Sequence, residues 1–154
     1  MTLVVENISK KIQKQDVLKN VSFELHQGEI VGLVGRNGSG KTTLFDTISG
    51  ELLPDFGRIG LDGLDYVKTI DLHDQLFYVD MPENWLSYYS PKKVKAILKV
   101  AYRHFDETWY DAEIKRFGLN NNKRIRTYSK GMRALFVIIA SFASRARYVL
   151  LDEP

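Results

Sequence analysis

Eight consecutive residues, Gly35-Arg36-Asn37-Gly38-Ser39-Gly40-Lys41-Thr42, fit the pattern G-x-x-x-x-G-K-[ST] at every fixed position. Glycines permit backbone angles that other side chains forbid, so successive N–H groups can turn toward a single anion. A helix starting at the lysine adds the positive end of its dipole at the same point. In such a loop Lys41 reaches the β- and γ-phosphates of a nucleotide, the Thr42 hydroxyl ligates Mg2+, and Thr43 shares the same first turn. The blander alternative is a glycine-rich turn ahead of a helix. A buried strand before the loop and a helix after it, both expected here, favour the nucleotide.

A second constellation closes the chain. Tyr148-Val149-Leu150-Leu151 is apolar and runs into Asp152 and Glu153. A buried strand beside the one that precedes the loop would deliver both carboxylates to the carboxyl edge of a sheet. Asp152 would then hold Mg2+ through water, and Glu153 would orient and deprotonate an attacking water. Taken alone, the same acids could mark a strand leaving the core for solvent.

The elements that must carry these groups are readable in outline. Leu3-Val4-Val5 and Val21 to Leu25 read as strands, the second alternating as a half-buried strand does, with a turn at Gln27-Gly28. Ile30 to Val34 is a continuous apolar run, the pattern of a strand buried on both faces of a parallel sheet. Thr42 to Ser49 can wind as a helix stopped by Gly50. A turn over Leu53 to Gly57, a strand over Arg58 to Leu61, a turn at Asp62-Gly63 and a strand over Leu76 to Val79 follow. Past Pro82 the pattern becomes helical. Ser90-Pro91 opens one helix, with Val94, Ile97, Leu98 and Ala101 on one face. A second runs from Asp106 to Phe117 and stops at Gly118, and a third starts near Ser129 and carries the apolar run Ala134 to Ala143.

Composition narrows the classes. Of 154 residues, 44% are hydrophobic and 27% charged, the balance of a chain with a real core. The 22 basic and 19 acidic residues leave only +3, weaker than a dedicated nucleic-acid binder would carry, so no nucleic acid is expected. Lys10-Lys11 and Lys123-Arg124-Ile125-Arg126 read as solvated faces. With no cysteine, disulfides and thiolate metal sites are excluded. The N-terminus has no signal-peptide pattern, and the longest apolar run is too short to span a bilayer. The guanine-reading Asn-Lys-x-Asp of a GTPase is absent, since Asn122-Lys123-Arg124-Ile125 lacks the acid, and a dinucleotide enzyme would need a different glycine pattern.

Together the phosphate loop, the Ser129-Lys130-Gly131 helix start and the Leu150-Leu151-Asp152-Glu153-Pro154 end resemble the ATP-binding subunit of an ABC transporter. So do Asn7 to Lys10, Val17 to Phe23, Gly28 to Ile30 and Leu53 to Ile59, which spreads the resemblance over nearly the whole chain. It implies an α/β fold: a P-loop NTPase core with a parallel sheet, an N-terminal antiparallel β subdomain and a helical subdomain inserted over about 84–145, all in one domain over 1–154. It further implies ATP and Mg2+ as ligands, and a nucleotide-driven homo- or heterodimer with a second ATP-binding subunit. A separate transmembrane permease subunit and a cytoplasmic place on the inner face of the membrane complete the picture. Ser129 and the N–H groups of Lys130, Gly131 and Met132 would meet a γ-phosphate across the dimer interface. By itself Thr127-Tyr128-Ser129 is a helix cap; only its company gives it that role.

The chain departs from the family pattern in four places. Tyr128-Ser129-Lys130-Gly131-Met132 replaces Leu-Ser-Gly-Gly-Gln, a variant that resembles the branch exporting antibiotics and peptides. An aromatic residue usually stacks on adenine where Ile12 stands, so Ile12 and Val17 would give only apolar contact and weaker base selectivity. The γ-phosphate-sensing glutamine is replaced by one of Asp80, Met81 or Glu83. The family also continues past Pro154 with a further core strand and a histidine, and none of His26, His73 and His104 stands in that place. The expectation is therefore a C-terminally truncated chain lacking its last core strand or strands, which binds nucleotide and hydrolyses it poorly. Trp85 to Tyr89 would either dock on the permease or pack inside the helical insert. Two other readings stay open: a ribosome-associated ABC protein, which would be expected to show tandem modules and basic linkers, and a nucleotide-binding module without turnover.

Overall fold

The computed structural model describes residues 2–80 and 85–152, and only the backbone of Ile70, Asp71 and Asp80. The chain divides into two compact units, Met1–His73 and Asp74–Pro154.

The first unit is an antiparallel sheet with one helix. Strands β1 (Thr2–Ile12), β2 (Gln15–His26), β3 (Phe56–Leu61) and β4 (Leu64–Asp65) lie in the order β2-β1-β3-β4. Leu3 and Val5 of β1 alternate onto the buried face, opposite Leu61 and Ile59 of β3. A register shift after Val5 brings Ile8 back to that face, where it too is buried. On the other side, β2 alternates half-buried Val21, Phe23 and Leu25 with exposed neighbours, as the sequence predicts. Charged cross-links tie the edges. The Asp55 carboxylate accepts from Lys10 Nζ at 3.0 Å and from the Lys11 amide at 2.7 Å, and Glu6 accepts both arms of Arg58. Helix α1 (Lys41–Ser49) buries Leu44, Thr47 and Ile48 and ends, as expected, at Gly50.

One expected element does not form. Residues 30–34 make no strand, and Val31 and Val34 are 63% and 95% exposed. A strand covered on both faces needs hydrogen-bonding neighbours along its edges. Among the described strands none pairs with this segment, so its apolar side chains have nothing to pack on.

The second unit is a helical layer on a two-stranded parallel sheet. Strands β5 (Leu76–Asp80) and β6 (Tyr148–Asp152) pair in parallel, with Phe77 opposite Val149 and Asp80 opposite Asp152. Helices α2 (Pro91–Ala101), α3 (Glu107–Arg116) and α4 (Lys130–Ser144) supply Val94, Leu98, Tyr110, Ile114, Phe136 and Val137 to a core that includes Phe77 and Val79. Ser90 stands at the N-cap position of α2, without a side-chain hydrogen bond to it, and Pro91 opens the helix, as read from the sequence. Its apolar stripe is shorter than predicted: Val94 and Leu98 are buried, Ile97 only partly, and Ala101 is exposed because the helix ends there. The Asp106 carboxylate caps α3 by accepting from the Trp109 amide at 2.9 Å. Tyr110, wholly buried, donates its hydroxyl to the Pro91 carbonyl at 2.9 Å, and desolvation pushes its phenol far above the ordinary range. No helix among the described residues is long and apolar enough to cross a membrane.

Candidate functional site

The phosphate-loop residues lie between β2 and α1 in the first unit. Gly38 and Gly40 take left-handed angles, φ 78° and 93°. At Gly40 a Cβ would sit 3.1 Å from Val17 Cγ1 and 3.2 Å from the Val17 carbonyl, so β2 presses on the start of α1 and only glycine fits. At Gly35 a Cβ would strike Ser39 Oγ at 2.5 Å. Ser39 N donates to the Arg36 carbonyl at 3.0 Å, closing the turn. Lys41 folds back over the loop and donates from Nζ to the carbonyls of Gly35 at 2.9 Å and Arg36 at 3.2 Å.

These features meet the requirements of a polyphosphate. Helix α1 starts at Gly40 with no side-chain cap and no acid in its first turn, so its leading N–H groups and the positive dipole end face an anion without competition from a carboxylate. A cation already hangs over that opening. Thr42 is exposed and Thr43 half-buried in the first turn. Val17 touches the loop's last glycine position, whereas Ile12 stands at the tip of the β1–β2 hairpin, opposite Gln15.

The remaining predicted residues belong to the second unit. Asp152 ends β6 and is only 4% exposed, opposite Asp80 in the parallel register. A strand's carboxyl end is where a carboxylate can be delivered to a ligand at the edge of a sheet. Among the described residues no group of three or more His, Asp or Glu could hold a metal by itself. Met81, Glu83 and Glu153 lie outside the described residues.

Ser129 is the N-cap of α4, its Oγ accepting from the Met132 amide at 3.3 Å. No acid stands in the first turn. Gly131 in that turn has no atom within 4 Å of where a Cβ would be, and its φ is ordinary. Among the described residues nothing requires a glycine there. The rings of Trp85, Tyr88 and Tyr89 are exposed while Leu86 between them is fully buried, so the solvent-facing alternative is the one the fold adopts. What the sequence reading passed over is their neighbour: the amide of Ile125 donates to the Tyr89 carbonyl at 2.9 Å and brings Arg124 and Arg126 beside these rings.

Comparison with known proteins agrees with this geometry. A family model described as ABC transporter matches residues 18–154. The ABC transporter ATP-binding protein YtrB of Bacillus subtilis (strain 168) is 35% identical over 97% of this chain and 51% of its own length. An uncharacterized ABC transporter ATP-binding protein of the same organism, YdbJ, is 32% identical over 99% of this chain and 50% of its own. The chain thus spans about half the length of these two relatives. Among solved structures, an ATP-binding subunit of an ABC transporter superposes with a TM-score of 0.84 at 25% identity, covering 100% of this chain and 67% of that one. Both strand systems and the intervening helices have counterparts in that fold, and the family model spans well over half of the sequence; the chain belongs to the ABC transporter family, as an ATP-binding domain.

Proposed function

We infer that the chain binds MgATP at Gly35 to Thr43 and that, in the complete dimeric protein, hydrolysis of this ATP drives a solute through a separate membrane permease. The observation that carries the reading is the loop itself: an uncapped helix start at Gly40, a left-handed backbone there pressed by Val17, and Lys41 Nζ resting on two loop carbonyls. Those two bonds are to exposed neutral acceptors and are weaker than charge-assisted bonds to phosphate, so nucleotide takes the lysine from the loop at little cost.

The roles follow from the residues. The amides of Arg36 to Lys41 would cradle the phosphates, with Lys41 on the β- and γ-phosphates. Val17 and Ile12 would offer apolar contact to the base. Thr42 and, through water, Asp152 would hold Mg2+, which would neutralise charge on the phosphate oxygens. Glu153 would take the proton from the attacking water. Ser129 and the amides of Lys130, Gly131 and Met132 would close on ATP held by a second ATP-binding subunit, identical or not. By its membership of this family the chain would work with a membrane permease subunit, in the cytoplasm at the inner face of the membrane. Residues 1–154 would form one domain, with about 84–145 as its helical insert. The exposed Trp85, Tyr88 and Tyr89 would dock on the permease.

Assayed as these 154 residues, the chain is expected to hold ATP but turn it over slowly. Among the described strands none pairs with the segment 30–34 that leads into the loop, which would leave the loop poorly braced for the transition state. A phosphate-release rate equal to that of complete family members would overturn this part.

The decisive test is nucleotide titration by calorimetry, with and without Mg2+, on the wild type and Lys41→Ala. A charge-assisted contact is worth about 1.5–3 kcal/mol, so the variant should bind ATP roughly 10- to 150-fold more weakly while keeping its far-UV spectrum. Equal affinity in the two proteins would remove Lys41 from the site.

A further inference from the structure

The first turn of α4 carries two cations that the rest of the chain does not balance. Lys130 is the first helical residue and is exposed, and Arg133, three positions on, is partly buried. Residues three apart on a helix are surface neighbours, so the two charges repel each other. Both also stand at the positive end of the helix dipole, where an anion is favoured and a cation is not. Neither side chain forms an ion pair or a hydrogen bond among the described residues. No acid occurs from Ile114 to Leu151, so the adjoining sequence holds no counter-ion either.

At Arg133 the imbalance reaches the interior, because its Nε is sealed from solvent and has no hydrogen-bond partner. A buried donor left unpaired costs free energy in the isolated chain. Helical Cα–Cβ bonds tilt toward the N-terminus, so both side chains lean toward the open end of α4. That end already offers amides to an anion. The first amides of a helix have no intrahelical acceptor, and the Ser129 hydroxyl takes only that of Met132, leaving those of Lys130 and Gly131. In the family pattern Leu-Ser-Gly-Gly-Gln a glycine fills the place of Lys130, so the ammonium is a group that pattern lacks.

We propose that the Lys130 ammonium and the Arg133 guanidinium are side-chain ligands of the terminal phosphate of ATP held by the second subunit. Closure of the pair then depends on the charge of that phosphate as well as on the α4 amides. The proposal rests on the reading that Ser129 and these amides meet ATP across the interface, and it adds two side chains to that contact. A terminal phosphate brings negative charge and acceptor oxygens together, so it relieves both the repulsion between the cations and the unpaired donor.

The test is nucleotide-driven association of the chain, read by sedimentation in Mg2+ with a hydrolysis-blocked ATP analogue. Lys130→Gln and Arg133→Gln keep most of each stem and drop the charge. Each should weaken association about tenfold or more, and Lys130→Glu should abolish it. Added salt should weaken the wild type more steeply than Lys130→Gln. Lys41→Ala, whose loop holds nucleotide poorly, and Lys130→Glu should each stay monomeric alone yet associate when mixed. One site of the mixed pair then sets an intact loop against an intact α4 turn. Urea midpoints of the two Gln variants should equal or exceed that of the wild type, because a repulsion has been removed. If the wild type associates and both Gln variants match it, the proposal is overturned while the contact of the α4 amides with ATP stands. If the wild type stays monomeric with nucleotide, both fall. A lower urea midpoint for either Gln variant means that the fold itself uses that cation, and this too overturns the proposal.

Discussion

Gly40 and Gly131 show two different reasons for a glycine at the head of a helix. At Gly40 the chain itself demands it, through φ 93° and the contact of β2 at Val17. Gly40→Ala should therefore cost about 1–2 kcal/mol from the left-handed backbone alone and weaken MgATP as the first amides of α1 shift. Chemical denaturation and nucleotide titration would read the two effects, and a stable Gly40→Ala protein with full affinity would contradict the geometry. At Gly131 the chain demands nothing, since the angle is helical and the space open. Gly131→Ala should raise the stability of α4 by up to about 1 kcal/mol. The same change should impair ATP-dependent dimerisation, measured by light scattering with a hydrolysis-blocked nucleotide. A gain in stability with dimerisation intact would mean that no partner atom approaches this turn.

At the scale of elements, a stripe of apolar residues and a strand are different things. Residues 30–34 form no ladder, so their amides should exchange with solvent orders of magnitude faster than those of β1 and β2. Hydrogen exchange read by mass spectrometry of this 154-residue chain checks that, and slow exchange would restore the predicted strand. The sequence pattern could say that these five residues suit a buried strand. It could not say which neighbours would supply the hydrogen bonds, because pairing is non-local. Local signals did better: Asp106 and Ser129 each cap the helix they were expected to start and Ser90-Pro91 opens α2, because such helix starts are settled within four residues. The phosphate loop was legible for the same reason, whereas the surface joining Tyr89 to Arg124 depends on a bond across 36 positions and left no local trace. Electrostatic pairing is equally non-local. The Arg103 guanidinium beside Asp74 holds that carboxyl below its ordinary value of 3.8, with Gln75 helping. A depressed folded value means stability that is present above the unfolded pKa and drains away as pH falls through the folded one. Between pH 5 and about 2 the wild type should thus lose more stability than Asp74→Asn, by urea melts at each pH; identical slopes would show that the pair contributes nothing.

For the molecule as a whole, both tryptophans, Trp85 and Trp109, fall in the second unit, while the nucleotide loop falls in the first. Tryptophan fluorescence, excited selectively over tyrosine, therefore comes from residues 74–154 alone, and far-UV dichroism reports the entire chain. Nucleotide at about 100 times its Kd stabilises whatever folds with it by about 2.7 kcal/mol. For a chain of this size that is a rise of roughly 5–10 °C in Tm. If residues 1–154 fold as one domain, MgATP should raise the fluorescence melt and the dichroism melt by the same amount, although no tryptophan lies near the loop in sequence. Lys41→Ala should abolish both shifts. A dichroism trace that splits into two steps, with the tryptophan step unmoved by MgATP, would mean that the units fold independently. In that case ATP energy could pass from loop to helices only through groups outside these residues, and the single-domain proposal would have to be abandoned while ATP binding itself stood.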